Sequence, residues 1–569
     1  MKRISIFLGI AMVCASIGWA AHSAANPTEA RLSNYVPAGP LLYLEAKDFS
    51  SLLGEWNSSG QKKQWVKSSN YEVFSRSRLF LRLNDAGRQF AAAAGLPPDM
   101  NFLAEVAGTR SVLALYDIGN LQFLYIAYLP SAKSMQTTLW QARAKFEPRS
   151  AGGVDFYLRR DPESQKEVAF AVSGDYLLLA TREDLLAGAL QLISGNSQSR
   201  TVEAEQWWSQ SVASSGSPGD LRMVLNLEKI VPSPYFRTYW VQQNITDLTQ
   251  YSAAVSDLFR SNKLYREERV LIRKSPPVAA LTPDGLEAAA DLTRLVPDSA
   301  GIYEAKAHPS ADSCFDLLVT KLLAPRSGPV PSSQIAPQVQ LTSGETGAGS
   351  DLETRIDQPP AQRFVTAEDT TALKELLDQT KLLASLQVQS TERDKAGVFV
   401  KIHSAIALVA ASDWNEGNVQ SALADFAGPG LTASRLGVGW QQKSGYQEFD
   451  GLWPLAVSVH GKSLLVSDDP TLMAAMLSNF NRKSEVKSAV FVAGFNHSRE
   501  RANFARFSGA LDRPNLGQSD VPGMERQPQF FSENLASLSS TLADIAAERI
   551  AIRTEGERDL QTITYEWSQ

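Results

Sequence analysis

The chain has 569 residues, 44% of them apolar, and a formal charge of −6. That length allows several domains with cores of their own, and the composition is that of a globular protein rather than a disordered one. Mild acidity without any long lysine or arginine tract argues against nucleic acid as a partner.

Residues 1–25 read as an export signal peptide. Lys2-Arg3 precede an apolar run from Ile4 to Ala20, and small residues follow as far as Ala25. Cleavage is expected after Ala20, Ser23 or Ala25. The alternative is an uncleaved anchor, because the run nearly reaches the roughly 17 residues that span a bilayer. The expected location is periplasmic or secreted, with membrane contact through a retained signal. Cys14 lacks the flanking pattern of a lipidated cysteine. After cleavage Cys314 is the only cysteine, so no intrachain disulfide forms and the fold rests on buried apolar area.

A first domain is expected over 32–274. A strand from Leu41 to Lys47 leads into a helix starting near Asp48, and an alanine-rich helix covers Asp85 to Ala94. Ser111 to Tyr116 and Leu121 to Leu129 form a hairpin, followed by a helix from Ser131 to Lys145. A second hairpin, Val168 to Val172 and Tyr176 to Ala180, turns at Ser173-Gly174-Asp175. Thr181 is placed to cap the next helix, with Glu183 and Asp184 in its first turn. Leu221 to Leu227 reads as a strand. Leu248, Tyr251, Val255 and Leu258 then fall at helical spacing, and Tyr265 to Arg273 is extended.

After a linker at 275–290, a second domain over 291–569 repeats these landmarks. Val296-Pro297 and Tyr303-Glu304-Ala305-Lys306 echo Val36-Pro37 and Tyr43-Leu44-Glu45-Ala46-Lys47. Gly461-Lys462-Ser463-Leu464-Leu465-Val466 echoes Gly174-Asp175-Tyr176-Leu177-Leu178-Leu179 without a gap. An aspartate cap and Pro470 then start a helix in place of Thr181 and its acids. Ala489 to Phe495 matches the Leu221 strand, Leu535, Leu538, Leu542 and Ile545 match the Leu248 helix, and Ile550 to Trp567 is extended. Landmarks kept in one order point to duplication. The expected fold class is α+β: two tandem homologous domains, each a mainly antiparallel sheet with helices packed on one face. Residues 325–363, poor in large apolar side chains, read as a disordered insertion, and Arg499 to Gln529 as a long irregular segment.

No catalytic constellation stands out. His22, His308, His403, His460 and His497 fall in no zinc-binding spacing, and no serine lies in a nucleophile elbow. Cys314 sits among Phe315, Leu317 and Leu318, the setting of a buried structural thiol. Glu183-Asp184 and Asp468-Asp469 are explained as helix-start acids. No enzyme activity, cofactor or metal is expected. Aromatic pairs are more suggestive, and Trp207-Trp208, set among Glu205, Gln206, Ser209 and Gln210, is the leading candidate for a binding surface.

The Val-Pro opening before an apolar strand with tyrosine, the Gly-x-x-Leu-Leu-Leu strand and the export signal resemble a family of uncharacterised exported bacterial proteins, domain of unknown function 3352. The resemblance implies a bacterial envelope location and no known activity. Three functions are therefore expected in turn. The first is a non-enzymatic envelope protein that binds a protein or other envelope component through an inter-domain groove or aromatic loop surface. The second is a carrier or sensor of an apolar ligand such as lipid, marked by a continuous apolar cavity. The third is an exported hydrolase with a dispersed site.

Overall fold

The computed structural model describes residues 31–67, 69–195, 199–235, 248–261, 263–276, 281–323, 367–393, 400–431, 439–449, 451, 454–503 and 545–567. The chain divides into two compact units. Unit 1 holds residues 1–278, 536–546 and 554–569, and unit 2 holds 279–535 and 547–553. The C-terminal strand therefore belongs with the first unit, although it falls within the expected second domain.

Unit 1 is built on β1 (Leu42–Ala46), β2 (Arg110–Asp117), β3 (Gln122–Tyr128), β4 (Glu147–Ala151), β5 (Val154–Arg160), β6 (Glu167–Ser173), β7 (Tyr176–Ala180), β8 (Leu221–Asn226), β9 (Tyr251–Arg260) and β10 (Leu264–Arg273). Their order is β4-β5-β6-β7-β3-β2-β1-β8-β9-β10, antiparallel throughout. Unit 2 uses β11 (Ile302–Ala307), β12 (Leu382–Arg393), β13 (Val400–Ala410), β14 (Trp440–Gln442), β15 (Gln447–Phe449), β16 (Leu455–His460), β17 (Ser463–Ser467), β18 (Phe491–Asn496) and β19 (Ile545–Glu555). Their order is β14-β15-β16-β17-β13-β12-β11-β18-β19, again antiparallel. The nine strands of unit 2 follow the same order as the first nine of the ten in unit 1. Strand β20 (Arg558–Trp567) pairs with β10 from Leu264↔Glu566 to Ile272↔Arg558.

The registers also agree. Tyr43 lies between Ala114 and Val224, and Tyr303 between Val388 and Gly494. Both β6–β7 and β16–β17 hairpins turn on a glycine at positive φ, Gly174 at 56° and Gly461 at 55°. Glycine is the residue that takes this conformation without a Cβ penalty, which is why the motif is retained. The chain is thus two tandem homologous α+β domains.

Helices cover both faces of each sheet, not one. The central strands explain this, because Leu177 to Ala180 and Leu464 to Ser467 are buried on both sides and need cover on both. In unit 1, α1 (Phe49–Ser58), α2 (Gly60–Lys67), α3 (Ser69–Ser75), α4 (Arg78–Ala94) and α5 (Met100–Val106) lie between β1 and β2 in the chain. Among them α4 and α5 cover one face, where Ala93, Ala94, Phe102 and Val106 meet Tyr125, Ala127 and Leu179. The other face takes α6 (Glu183–Ile193) and α7 (Gln206–Ser214), where Leu186, Leu190 and Trp208 meet Tyr43, Val112 and Ile126. Unit 2 repeats the plan. One face carries α8 (Pro283–Leu292), and the other carries α9 (Ala311–Leu318), α10 (Ala367–Asp378) and α11 (Glu416–Leu431). A further helix, α12 (Pro470–Ser478), packs on the α8 face, and residues 497–503 beyond β18 are helical too.

Several elements differ from expectation. Tyr251 to Leu258 is strand β9, not helix. A four-residue step satisfies the strand period as well as the helical one, so Tyr251 and Val255 could not discriminate. The helix expected over Ser131 to Lys145 is broken into short turns at 131–134, 138–141 and 142–145. Ser134 Oγ donates to Leu129 O, and Thr137 Oγ1 takes the Trp140 N–H, so the hydroxyls compete with a continuous helix. Thr181 does not cap α6: its Oγ1 accepts from Phe123 N at 2.9 Å, and Arg182 holds the N-cap position without a side-chain capping bond. Asp469 does cap α12, accepting from Thr471 N at 2.9 Å. Part of the 275–290 linker is helical, since Pro283 opens α8 at a position that requires no N–H. Ile550 to Trp567 forms two strands separated by a turn at Gly556, whose φ is 61°. The export signal, the 325–363 insertion, residues 504–529, the Leu535, Leu538 and Leu542 positions, and His22 lie outside the described residues.

Candidate functional site: an apolar cavity in unit 1

Strand alternation sends Leu42, Leu44 and Ala46 of β1 to one face of the unit 1 sheet. Their cross-strand partners on that face are Leu115, Leu113 and Ser111 of β2, which in turn sit beside Phe123, Tyr125 and Ala127 of β3. The helices above present Leu52 and Trp56 from α1, Ala86, Gly87 and Phe90 from α4, and Phe102 from α5. Small residues at Ala86, Gly87 and Ala93 keep α4 from filling the space beneath it. A cavity of about 1500 Å³ results.

The cavity is open to solution rather than sealed, so it holds water or a ligand and not an empty void. Its walls are mostly hydrocarbon, so a chain of methylenes that displaces water gains about 0.8 kcal/mol per buried group. The volume also exceeds the roughly 300–1,000 Å³ of sites for drug-sized molecules.

Apart from Ser111 and Tyr125, the polar groups gather at the borders. On one side Arg260, at the tip of β9, has its guanidinium buried, with Nη1 3.1 Å from Glu55 Oε2 and Nε 3.8 Å from Asp220 Oδ2. On another, Asn120, Gln122, Gln165, Lys166 and Arg182 border the space. Arg182 is paired with Asp184, and Lys166 Nζ donates to Asn120 Oδ1 at 3.3 Å. Leu121 and Gln165, both at this border, hold positive φ of 51° and 57°, a strained conformation for residues with a Cβ. Inside, the Tyr125 hydroxyl donates within a small network with Ser111 Oγ at 3.0 Å and Val106 O at 3.1 Å. Burial pushes its pKa up to about 12, so it stays neutral.

The residues singled out from sequence lie elsewhere. Trp208 is 5% exposed, packed edge-on against Tyr43 with ring centroids 4.5 Å apart. Trp207 is half-buried, and its Nε1 donates to Glu205 Oε2 at 2.8 Å. The pair is therefore a wedge between α7 and the sheet face opposite the cavity, not an exposed aromatic surface. The polar neighbours were misleading because α7 turns its other side to solvent. Cys314 is 1% exposed, and burial pushes its thiol up to about 11. His308 Nε2 accepts from Thr282 N, His403 lies 3.4 Å from Glu392, His460 rests on Phe480, and His497 lies 3.7 Å from Glu548. Among the described residues no three His, Cys, Asp or Glu side chains gather as metal ligands. The cavity itself was missed. Its only sequence signal was the apolar alternation Leu42-Leu44-Ala46 and Leu113-Leu115 facing an Ala/Gly-rich helix.

No family model matches the chain, and no curated protein matches it significantly. Solved structures of TP0453 do, at low similarity. Crystal form I is 10% identical over 44% of this chain and 82% of that one, with a TM-score of 0.23. Crystal form III is 8% identical over 45% and 84%, also at 0.23. At such scores the likeness carries no argument about this chain.

Proposed function

We propose that the chain is an exported, non-enzymatic carrier or sensor of an apolar, chain-bearing ligand such as a lipid, held in the unit 1 cavity. The observation that carries this reading is the cavity's combination of volume, hydrocarbon walls and polar borders. It suits a molecule with a long apolar body and a polar head. With Trp208 buried and Trp207 half-buried, the aromatic-surface reading loses its anchor.

The test is titration with an acyl chain carrying an environment-sensitive fluorophore, for the native chain and for Gly87→Leu. A Cβ at Gly87 meets only Pro98 Cγ at 3.8 Å, so leucine fits the helix and projects into the cavity. Replacing glycine inside a helix also stabilises by about 0.8 kcal/mol. Saturable binding is expected, weakened at least tenfold by Gly87→Leu while thermal stability rises. Absence of binding by the native chain, or binding indifferent to the substitution, sinks the proposal.

A further inference from the structure

We infer that the helical arm of residues 60–88, from α2 into α4, docks the protein on an anionic phospholipid bilayer at the edge of the cavity. This extends the carrier reading, but its test stands apart from it.

The first observation is charge. In a chain of formal charge −6, residues 60–88 carry seven basic side chains and two acidic ones. The acids are already engaged, Glu72 with Arg76 at 2.7 Å and Asp85 with Arg82 at 3.1 Å. Lys63, Lys67 and Arg78 are exposed. A segment of net charge +5 on an acidic protein is an electrostatic footprint for a negative surface.

The second observation is apolar exposure in the same place. Val66 is 49% exposed, Leu81 56% and Leu83 48%, and nearby Met100 is 36% exposed. These are half of the eight large apolar side chains exposed among the described residues. The arm does not owe this to lack of a core. Trp65, Tyr71, Phe74 and Phe80 pack ring to ring at centroid distances of 5.4–6.3 Å, and Arg82 Nη2 ties α4 to Gly119 O. A helical segment with its own aromatic core, basic side chains and outward leucines has the composition of an interfacial helix.

The third observation is continuity. Leu83 and Met100 are exposed and also line the cavity. A bilayer on this face would meet the cavity wall directly, so a lipid chain could pass between them with little hydrocarbon exposed to water. Charge and exposed apolar area together favour a bilayer over a soluble acidic protein, for which the leucines would have no use.

The experiment uses the full chain with Cys14→Ser and Val66→Cys, labelled at residue 66 with an environment-sensitive dye. Cys314 is buried and inert to the label. Vesicles of phosphatidylcholine containing phosphatidylglycerol are compared with pure phosphatidylcholine. A blue shift on the anionic vesicles is expected, with partitioning at least tenfold weaker on phosphatidylcholine or in about 1 M salt, where the Debye length falls to about 3 Å. Lys63→Glu, Lys67→Glu and Arg78→Glu together should also weaken it at least tenfold, since each basic residue near the surface contributes roughly fivefold. Acyl-probe binding by this triple variant should persist, which separates loss of docking from loss of the cavity. Equal response to both vesicle types, indifference to salt, or no shift at residue 66 overturns the inference on the native charge pattern alone. An equal response to soluble polyglutamate would replace the bilayer with an acidic partner and overturn it too.

Discussion

Unit 1 and unit 2 share a strand order and register yet treat the same sheet face in opposite ways. In unit 1 that face carries the rows Leu42–Leu115–Phe123 and Leu44–Leu113–Tyr125. The register-equivalent rows in unit 2 are Ile302–Gln389–Ser404 and Glu304–Gln387–Ile406. Where unit 2 is apolar on this face, helices lie directly on it. Cys314, Leu318, Leu373, Leu377 and Phe426 pack against Ile406, Leu408, Val457 and Leu464, all buried. Unit 1 keeps an apolar wall and leaves space above it, whereas unit 2 fills the apolar part and makes the rest polar. Among the described residues the two copies thus share a backbone plan and differ in what the same face carries, an apolar wall under open space in unit 1 and packed helices beside polar positions in unit 2.

The opposite face shows the same divergence in miniature, and its test has the largest expected effect. In unit 1 Arg222 of β8 and Asp257 of β9 form a buried bidentate pair, both bonds 2.7 Å, and Asp257 also accepts from Gly219 N. The cross-strand equivalents in unit 2 are Val492 and Ala551. Asp257→Ala leaves a buried guanidinium without its carboxylate and should cost about 3–5 kcal/mol. Arg222→Val with Asp257→Ala copies the unit 2 solution and should recover most of that loss. Amide exchange in β8 and β9 under denaturant reads both. If the double variant is as unstable as the single one, the two solutions are not interchangeable and the Gly219 tie matters more than the pair.

The cavity wall is tested by the same transplantation. Leu113→Gln with Leu115→Gln installs the side chains that unit 2 has in register at Gln387 and Gln389. Each leucine gives up part of the roughly 1.5–3 kcal/mol that full apolar burial is worth, so acyl-probe affinity should fall about a hundredfold. Far-ultraviolet circular dichroism should be unchanged, because unit 2 already carries glutamines on this fold. Undiminished affinity would mean that the probe does not touch this wall.

Much of the plan was legible because it depends on local signals. Both glycine turns, the hairpins around them and the start of α1 at Asp48 follow from turn chemistry and capping, which single residues decide. Strand β9 was read as helix because Tyr251 and Val255 satisfy both periods, and the partner that settles it, Arg222 opposite Asp257, is 35 residues away. The cavity was illegible for a related reason. Leu113 looks the same in sequence whether a helix packs on it or stands off, and the residues that line the far side of the space, Ala86 and Gly87 on α4, come onto this face only after folding. Trp207-Trp208 failed in the opposite direction: polar neighbours suggested exposure, but helical geometry directs those neighbours to a different side from Trp208.

The smallest contrast concerns the helices that follow the two glycine hairpins. Helix α12 has an aspartate cap, while α6 begins at Arg182 with none and has Glu183 and Asp184 in its first turn instead. Asp469→Ala removes the acceptor from Thr471 N and should cost about 1 kcal/mol. Arg182→Ala removes no cap and should change stability by less than about 0.5 kcal/mol. Asp469 also lies 3.8 Å from His403, so its loss could act through that ring. Asp469→Ser separates the two causes, since serine caps as well as aspartate but carries no charge. Recovery with serine, read as the denaturant midpoint of unit 2, assigns the difference to the cap. Failure to recover assigns it to the charge beside His403, and the two repeats would then differ in electrostatics rather than in how their helices begin.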